Sequence, residues 1–483
     1  MDYHQHCVDM LGPLNPDMIL LMVNSFQTRI NSNLKIKTIG VEIMVRKVYS
    51  NIDEFQKQNT ALGINLPIAD NVDALARPLT VGKRTVQNRL ACQAMEGCDG
   101  KLDGTPDELT IRRYNRFARG GAGLIWFEAT AVLQEGRANP RQLYINEKNL
   151  DEFKRFIADI KEAAFKESGF EPLIIMQATH SGRYSKPNGV PEPLIAYNNP
   201  IFEKDTPISE DRIVTDDYID HVKDALVQGA RLAEMAGFDG VDIKACHRYL
   251  NSELLSAYNR PGKYGGSLEN RTRLLRESIS GAIETCGSDF IVSSRLNVYD
   301  GFEYPYGFGV SRDGGLDFDL TEPTWLLKQL RQSGVELLNI TMGNPYFNPH
   351  VNRPFAHGSY EAVEHPLEGV SRMLNGIAAL KHEVPEMKLI CSGISYLGVA
   401  APNVTAAFIE KGCFDVAGFG RTIFAYPDFA KDILKNGCMD KNKICICCSK
   451  CTEIMRTPGG TPGCVIRDRD AYMPIYRHFC GGK

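Results

Sequence analysis

The chain has no excess charge of one sign: 55 lysines and arginines face 59 aspartates and glutamates, for a formal net charge of −4. No broad basic field is left over to attract phosphate backbones or anionic lipid, which argues against a nucleic-acid or membrane-surface partner. Long hydrophobic runs are also missing. The longest near the start, residues 18–23, falls far short of the ~20 residues a membrane helix needs. Asp2 and Asp17, with no early lysine or arginine, do not resemble a signal peptide, so a cytoplasmic location is expected. There is no low-complexity tract and no G-x-G-x-x-G fingerprint. What is present is 43% hydrophobic and 24% charged residues over 483 positions, enough to bury a large core and to exclude disorder as the dominant state.

Short runs rich in Val, Ile and Leu alternate with segments of helical periodicity between residues 89 and 436. The strand candidates are 90–95, 124–132, 173–177, 240–245, 290–296, 335–340, 388–392 and 414–418, each followed by a plausible helix. Thr215 reads as an N-cap, with Asp216 and Asp217 in the first turn and Ile219, Val222, Leu226 and Ala230 on one face before Gly237. An open doubly wound sheet is the competing arrangement. The count of eight, with no dinucleotide fingerprint, favours an α/β fold of the (β/α)8 TIM-barrel class with a cysteine-rich C-terminal extension. The expected division is 1–75 as an N-terminal extension, 76–440 as the barrel and 441–483 as the cysteine-rich extension. Met44 opens a natural-looking start, so residues 1–43 are expected to lie outside the fold.

In such a barrel the chemistry sits at the C-terminal ends of the strands. These positions are loaded: Ala94, Met95 and Glu96; Ala129; Gln177 and His180; Lys244, His247 and Tyr249; Arg295; Ser392 and Gly393; Gly420 and Arg421. Glycines and an arginine after the last two strands are what a phosphate site requires, namely close backbone N–H approach and a fixed guanidinium fork.

Six of the fourteen cysteines (Cys445, Cys447, Cys448, Cys451, Cys464, Cys480) cluster at the end of the chain, a pattern of metal or iron–sulfur ligation rather than of a disulfide scaffold. Cys445, Cys448, Cys451 and Cys464 supply four thiolates, suited to a [4Fe–4S] cluster or to tetrahedral zinc, and Cys447 could replace Cys448 in the count.

Several blocks resemble the old yellow enzyme family: Asn88-Arg89-Leu90 through Met95, Gln177-Ala178-Thr179-His180-Ser181-Gly182-Arg183, Ala236-Gly237-Phe238-Asp239-Gly240-Val241, Tyr264-Gly265-Gly266-Ser267-Leu268-Glu269-Asn270-Arg271 and Gly420-Arg421. The cysteine tail is similar to that of the iron–sulfur branch containing 2,4-dienoyl-CoA reductase and 2-enoate reductase. The resemblance implies FMN at the barrel mouth, a [4Fe–4S] cluster, and hydride transfer to an α,β-unsaturated carbonyl, acid or thioester. The reverse reaction and dehydrogenation of an amine or a saturated acid derivative stay open, as does a non-catalytic electron-transfer or structural role. On the family pattern Gln177 and Arg295 meet the flavin's pyrimidine edge, Ala129 underlies the ring, and Gly393, Gly420 and Arg421 grip the phosphate. Lys244 and His247 hold the substrate oxygen, and Tyr249 delivers the proton as a neutral phenol of pKa ~10. Lys244 stands in place of the usual histidine. Glu96 is a second departure, a carboxylate that either lowers the flavin potential or is turned away and paired. The chain ends shortly after Cys464, so electrons are expected from NAD(P)H directly or through an external flavoprotein or ferredoxin. A homo-oligomer is compatible with all of this.

Overall fold

The structure, a computed structural model, describes residues 46–458 and 460–481. The expected start at Met44 and the upstream segment 1–43 lie outside the described residues.

A short antiparallel hairpin, β1 (Leu79–Val81) and β2 (Arg84–Val86), precedes eight parallel strands: β3 (Leu90–Cys92), β4 (Leu124–Ala131), β5 (Leu173–Thr179), β6 (Gly240–Ile243), β7 (Ile291–Asn297), β8 (Leu337–Thr341), β9 (Lys388–Cys391) and β10 (Val416–Phe419). They close in sequence order, with β10 returning to β3 through Ala417↔Leu90 and Phe419↔Cys92. All eight expected strands are present. They read as apolar runs because parallel strands are buried on both faces, as all eight residues of β4 are.

The period-2 alternation of a strand sorts each run into two sets. Leu90, Cys92, Ile125, Phe127, Ile174 and Met176 face the helices in the large outer core. Ala91, Leu124, Trp126, Leu173, Ile175, Leu337, Ile390 and Val416 fill the interior, closed below by Leu79, Val81 and Val86 of the hairpin. Two residues further along, the same inward parity becomes polar: Gln93, Gln177, Asp242, Ser293 and Asn339 are all buried. Gln93 and Asn339 exchange amide hydrogen bonds of 3.1 and 2.7 Å across the barrel. Gly418 completes this layer, where a Cβ would come within 2.1 Å of the Gln93 amide nitrogen. One more step of two reaches Met95, Lys244, Arg295 and Gly420, at the mouth.

Helix caps follow the sequence signals. The Thr215 hydroxyl accepts from the Tyr218 N–H to start helix Asp216–Met235, and Gly237 leaves it at φ +89°. Residues 46–76 lie against the barrel. The Tyr49 carbonyl accepts from the Val399 N–H at 3.1 Å, and Phe55 of helix Ile52–Ala61 is buried edge-on to Tyr49. At the other end, helices Lys450–Met455 and Arg469–Cys480 enclose a small apolar cluster of Ile454, Val465 and Tyr472. Asp468 ties this extension to helix Glu108–Ala118 through a two-bond contact from Arg112 (2.7 and 2.8 Å) and one from Arg116.

If the segment around Phe55 is part of the cooperative core, Phe55→Ala should destabilise the protein by about 3–5 kcal/mol. Chemical denaturation monitored by circular dichroism measures this, and an unchanged midpoint would show the segment to be peripheral.

Candidate active site

A cleft at the C-terminal mouth, ≈ 930 Å³ counted to its open side, is lined by nine of the expected residues: Ala94, Met95, Glu96, His247, Arg295, Ser392, Gly393, Gly420 and Arg421. Four arginines line it, Arg295, Arg353, Arg421 and the exposed Arg456, none with a carboxylate ion pair among the described residues. Arg295 Nη1 donates to the Ala94 carbonyl at 3.1 Å, Arg353 Nη1 to the Thr452 hydroxyl at 2.9 Å, and Arg421 Nη2 to the Pro354 carbonyl at 2.6 Å. Arg295 Nε and Arg421 Nη1 are buried with no acceptor. Burial and the neighbouring Arg421 charge push Arg353 down to about 10. Such a cleft is short of negative charge and of acceptors, as an anionic ligand would require.

His247 and Arg248 both hold left-handed backbone, at φ +64° and +60°. Outside glycine this is strained, and persists where the surroundings enforce it. The enforcing contact is Arg248, fully buried, bound to Ser256, to Tyr197 at 3.0 Å and to Asp300 at 3.3 Å. The turn delivers His247 into the cleft with its Nε2 unpartnered. Burial, then the charges of Arg295, Lys244 and Arg353, hold the imidazole well below its usual pKa, so it is a neutral hydrogen-bonding group.

Tyr249 is buried beneath Tyr346. Its phenol donates to Glu96 Oε2 at 2.8 Å and lies 3.1 Å from the Tyr346 hydroxyl. Glu96 is therefore paired rather than free beside the cleft. The Lys244 ammonium lies 3.6 Å from the Tyr249 ring centroid, a cation–π contact, and does not line the cleft. Its burial lowers its pKa, and the Glu96 charge partly restores it.

Gln177 and Ala129 are likewise outside the lining. The Gln177 amide donates to Asp242 Oδ2 at 2.6 Å, which also accepts from Trp126 Nε1 at 2.6 Å. Asp242 Oδ1 accepts the Arg295 backbone N–H at 2.5 Å. This polar layer is the support under the cleft floor, and Gln93 from it reaches the lining.

The thiols of Cys445, Cys448, Cys451 and Cys464 line one cavity of ≈ 360 Å³ with Arg421 and Phe424. Left-handed residues Cys447 (φ +52°) and Ser449 (φ +62°) turn the chain so that its neighbours face inward. Cys447 itself is packed into the hydrophobic core. Cys451, Arg421 and Phe424 border both this cavity and the cleft. Among the described residues no group of three or more His, Cys, Asp or Glu side chains is placed to hold a metal ion.

A family profile described as NADH:flavin oxidoreductase / NADH oxidase matches residues 74–308. An NADPH dehydrogenase of Geobacillus sp. (strain WCH70) is 30% identical over 274 residues, covering 56% of this chain and 73% of that protein. The chain belongs to this family. An NADH oxidase of Thermoanaerobacter brockii is 27% identical over 76% of this chain and 52% of its own length, so the chain spans about half of that relative. The old yellow enzyme homologue of Zymomonas mobilis shares the fold, with a TM-score of 0.55, 22% identity, and coverage of 75% and 92% of the two chains.

Several residues of this family member's mouth escape a reading of strand ends. Gln93 and Asp242 could have been found by extending the inward parity of β3 and β6. Arg353 and Tyr346 come from the irregular segment after β8, where no periodicity marks a face. The loop carrying Glu96 is anchored by a further group, centred on Arg113, that the sequence does not mark. Arg113 is buried between Asp99 (2.6 and 2.8 Å) and Glu128 (2.8 Å), whose Oε2 accepts the Gly97 N–H at 2.5 Å. Thr461 of the extension donates to the same Asp99. Burial pushes the Glu128 carboxyl up to about 7 against the pull of Arg113.

Removing Arg113 leaves two buried carboxyls unpaired, so Arg113→Ala should cost about 3–5 kcal/mol. Denaturant unfolding checks it, and a loss under about 1 kcal/mol would show that the cluster relaxes without its cation.

Proposed function

We propose that the protein is an FMN-dependent ene reductase that also carries a [4Fe–4S] cluster. The observation that carries the reading is the set of buried arginines with unfilled donors around a cleft that also receives a neutral histidine. Arg421 with Gly393 and Gly420 would hold the FMN phosphate. Arg295 would meet the isoalloxazine edge, where a fixed cation favours the reduced, anionic ring. The group, when bound, supplies hydride transfer, with NAD(P)H as the ultimate source of electrons.

The chain's own residues do the rest. His247 donates to the substrate carbonyl oxygen, on which negative charge develops as the β-carbon is reduced. Tyr249 gives its phenol proton to the α-carbon, and Lys244, stacked on its ring, holds that ring in place. Apolar walls from Met95, Phe424 and Met455 exclude water from the reacting carbons. The substrate is an α,β-unsaturated carbonyl, acid or thioester.

Cys445, Cys448, Cys451 and Cys464 would hold the cluster. The four cysteines line one cavity, as a cluster held by four thiolates requires. Cys451 and Arg421 border both cavities, so a cluster held by Cys451 would neighbour a flavin held by Arg421, and a ferredoxin or flavoprotein outside the chain would be a donor to it.

Anaerobic NADH should bleach the flavin spectrum, and cyclohexenone should then restore it. Tyr249→Phe should slow that restoration by about 10²–10⁴-fold while leaving the NADH step unaffected. An enone that fails to reoxidise the wild-type flavin refutes the assignment. Iron and sulfide analysis should give a four-iron cluster that Cys448→Ala abolishes and Cys447→Ala retains, and the opposite pattern would place Cys447 among the ligands.

A further inference from the structure

Glu96 stands where two cavities meet. It lines the arginine-bearing cleft and also a wider one bordered by Arg141, Tyr184, Lys186 and Arg456. Its Oε2 accepts the Tyr249 phenol at 2.8 Å, and the Tyr346 oxygen is 3.1 Å from that of Tyr249. A phenol has one proton, so while Tyr249 donates to Glu96 the Tyr346 hydroxyl is the donor between the two tyrosines. In this state the Tyr249 proton is engaged by Glu96. Protonation of Glu96 reverses the bond: the carboxylic acid donates to the Tyr249 oxygen, and the phenol proton is freed toward the position the Tyr346 hydroxyl occupies.

We propose that Glu96 is the acid that resupplies Tyr249, drawing protons from water in the wider cleft; this rests on the ene-reductase reading above. When Tyr249 protonates the α-carbon, its O–H bond breaks and a C–H bond forms. The Glu96 O–H bond then breaks as the Tyr249 O–H bond is remade. Water in the wider cleft reprotonates the carboxylate. The hydride and its two electrons come from NAD(P)H through the flavin, and none pass through this pair.

The surrounding charges suit the exchange. Lys244 lies over the Tyr249 ring, the Cys98 thiol is 3.9 Å from Glu96 Oε1, Tyr346 closes the other side, and Arg456 borders both cavities with Glu96. Burial raises the Glu96 carboxyl above its usual range, against the Lys244 charge. Burial, then the Glu96 charge, drives the Tyr249 phenol well above its own, so a Tyr249 phenolate is the stronger base and takes the Glu96 proton. Proton supply is present below the raised pKa of Glu96 and is lost as pH rises through it.

The test compares reduced wild-type and Glu96→Gln protein mixed anaerobically with cyclohexenone, alone for the first turnover and with excess NADH for the steady state. In the variant, steady-state turnover should fall about 100-fold, while the first turnover, for which Tyr249 already carries its proton, should fall far less. Glu96→Asp should restore turnover in part, and acetate should rescue Glu96→Ala. Equal losses in both phases, or none in either, overturn the proposal. An independent readout is the ¹³Cζ resonance of Tyr249, assigned with Tyr249→Phe. It should titrate at lower pH in Glu96→Gln than in wild type, and an unchanged titration overturns the coupling. Failure of the ene-reductase reading is distinct from both, because it shows as wild-type flavin that the enone does not reoxidise while the resonance still reports on the pair.

Discussion

The mouth of this barrel is organised by positive charge that the chain does not neutralise. Arg295, Arg353 and Arg421 are held by the carbonyls of Ala94 and Pro354 and by the Thr452 hydroxyl, which orient the guanidiniums and leave their charge in place. Bringing these cations into one cleft opposes folding, and the Arg421 charge lowers the Arg353 pKa. An anion bound there would offset that cost. Everything else at the mouth keeps these groups apart and aimed.

The aiming comes from below. One inward parity runs from an apolar plug through a polar layer to the site, so that Asp242, bound by Trp126, Gln177 and the Arg295 backbone, fixes both the floor and one wall. A second anchor, the buried Arg113 cluster, holds the loop of Glu96 from one side and the cysteine-bearing extension from the other through Thr461. The cleft and the thiol cavity therefore share Arg421 and Cys451 and also a common support.

Much of this was legible in the sequence, for physical reasons. Parallel strands buried on both faces leave apolar runs that can be counted, and glycines before an arginine at the last strand end mark close backbone approach. Parity assigns a side chain to the barrel interior but not to a depth or a rotamer. Gln177 lies on the correct face, with its amide turned onto Asp242 beneath the floor. Lys244 points inward, yet its ammonium rests on the Tyr249 ring. Glu96 could be read as free or paired, and only the approach of Tyr249 from a different strand decides between them. Arg353 and Tyr346 belong to an irregular segment, where a sequence carries composition but no period. Spacing alone does not separate Cys447 from Cys448; the left-handed turn at Cys447 is what puts Cys448 on the cavity and Cys447 in the core.

The most direct test of the unneutralised charge is to titrate cofactor-free protein with FMN and with riboflavin, which differ by the phosphate alone, following the quenching of flavin fluorescence. Each charge-assisted hydrogen bond contributes about 1.5–3 kcal/mol, so FMN should bind one-to-one and riboflavin at least about 100-fold more weakly, with the difference shrinking in Arg421→Ala. Equal affinity for the two flavins, or no binding of either, would contradict the assignment of the arginine-lined cleft.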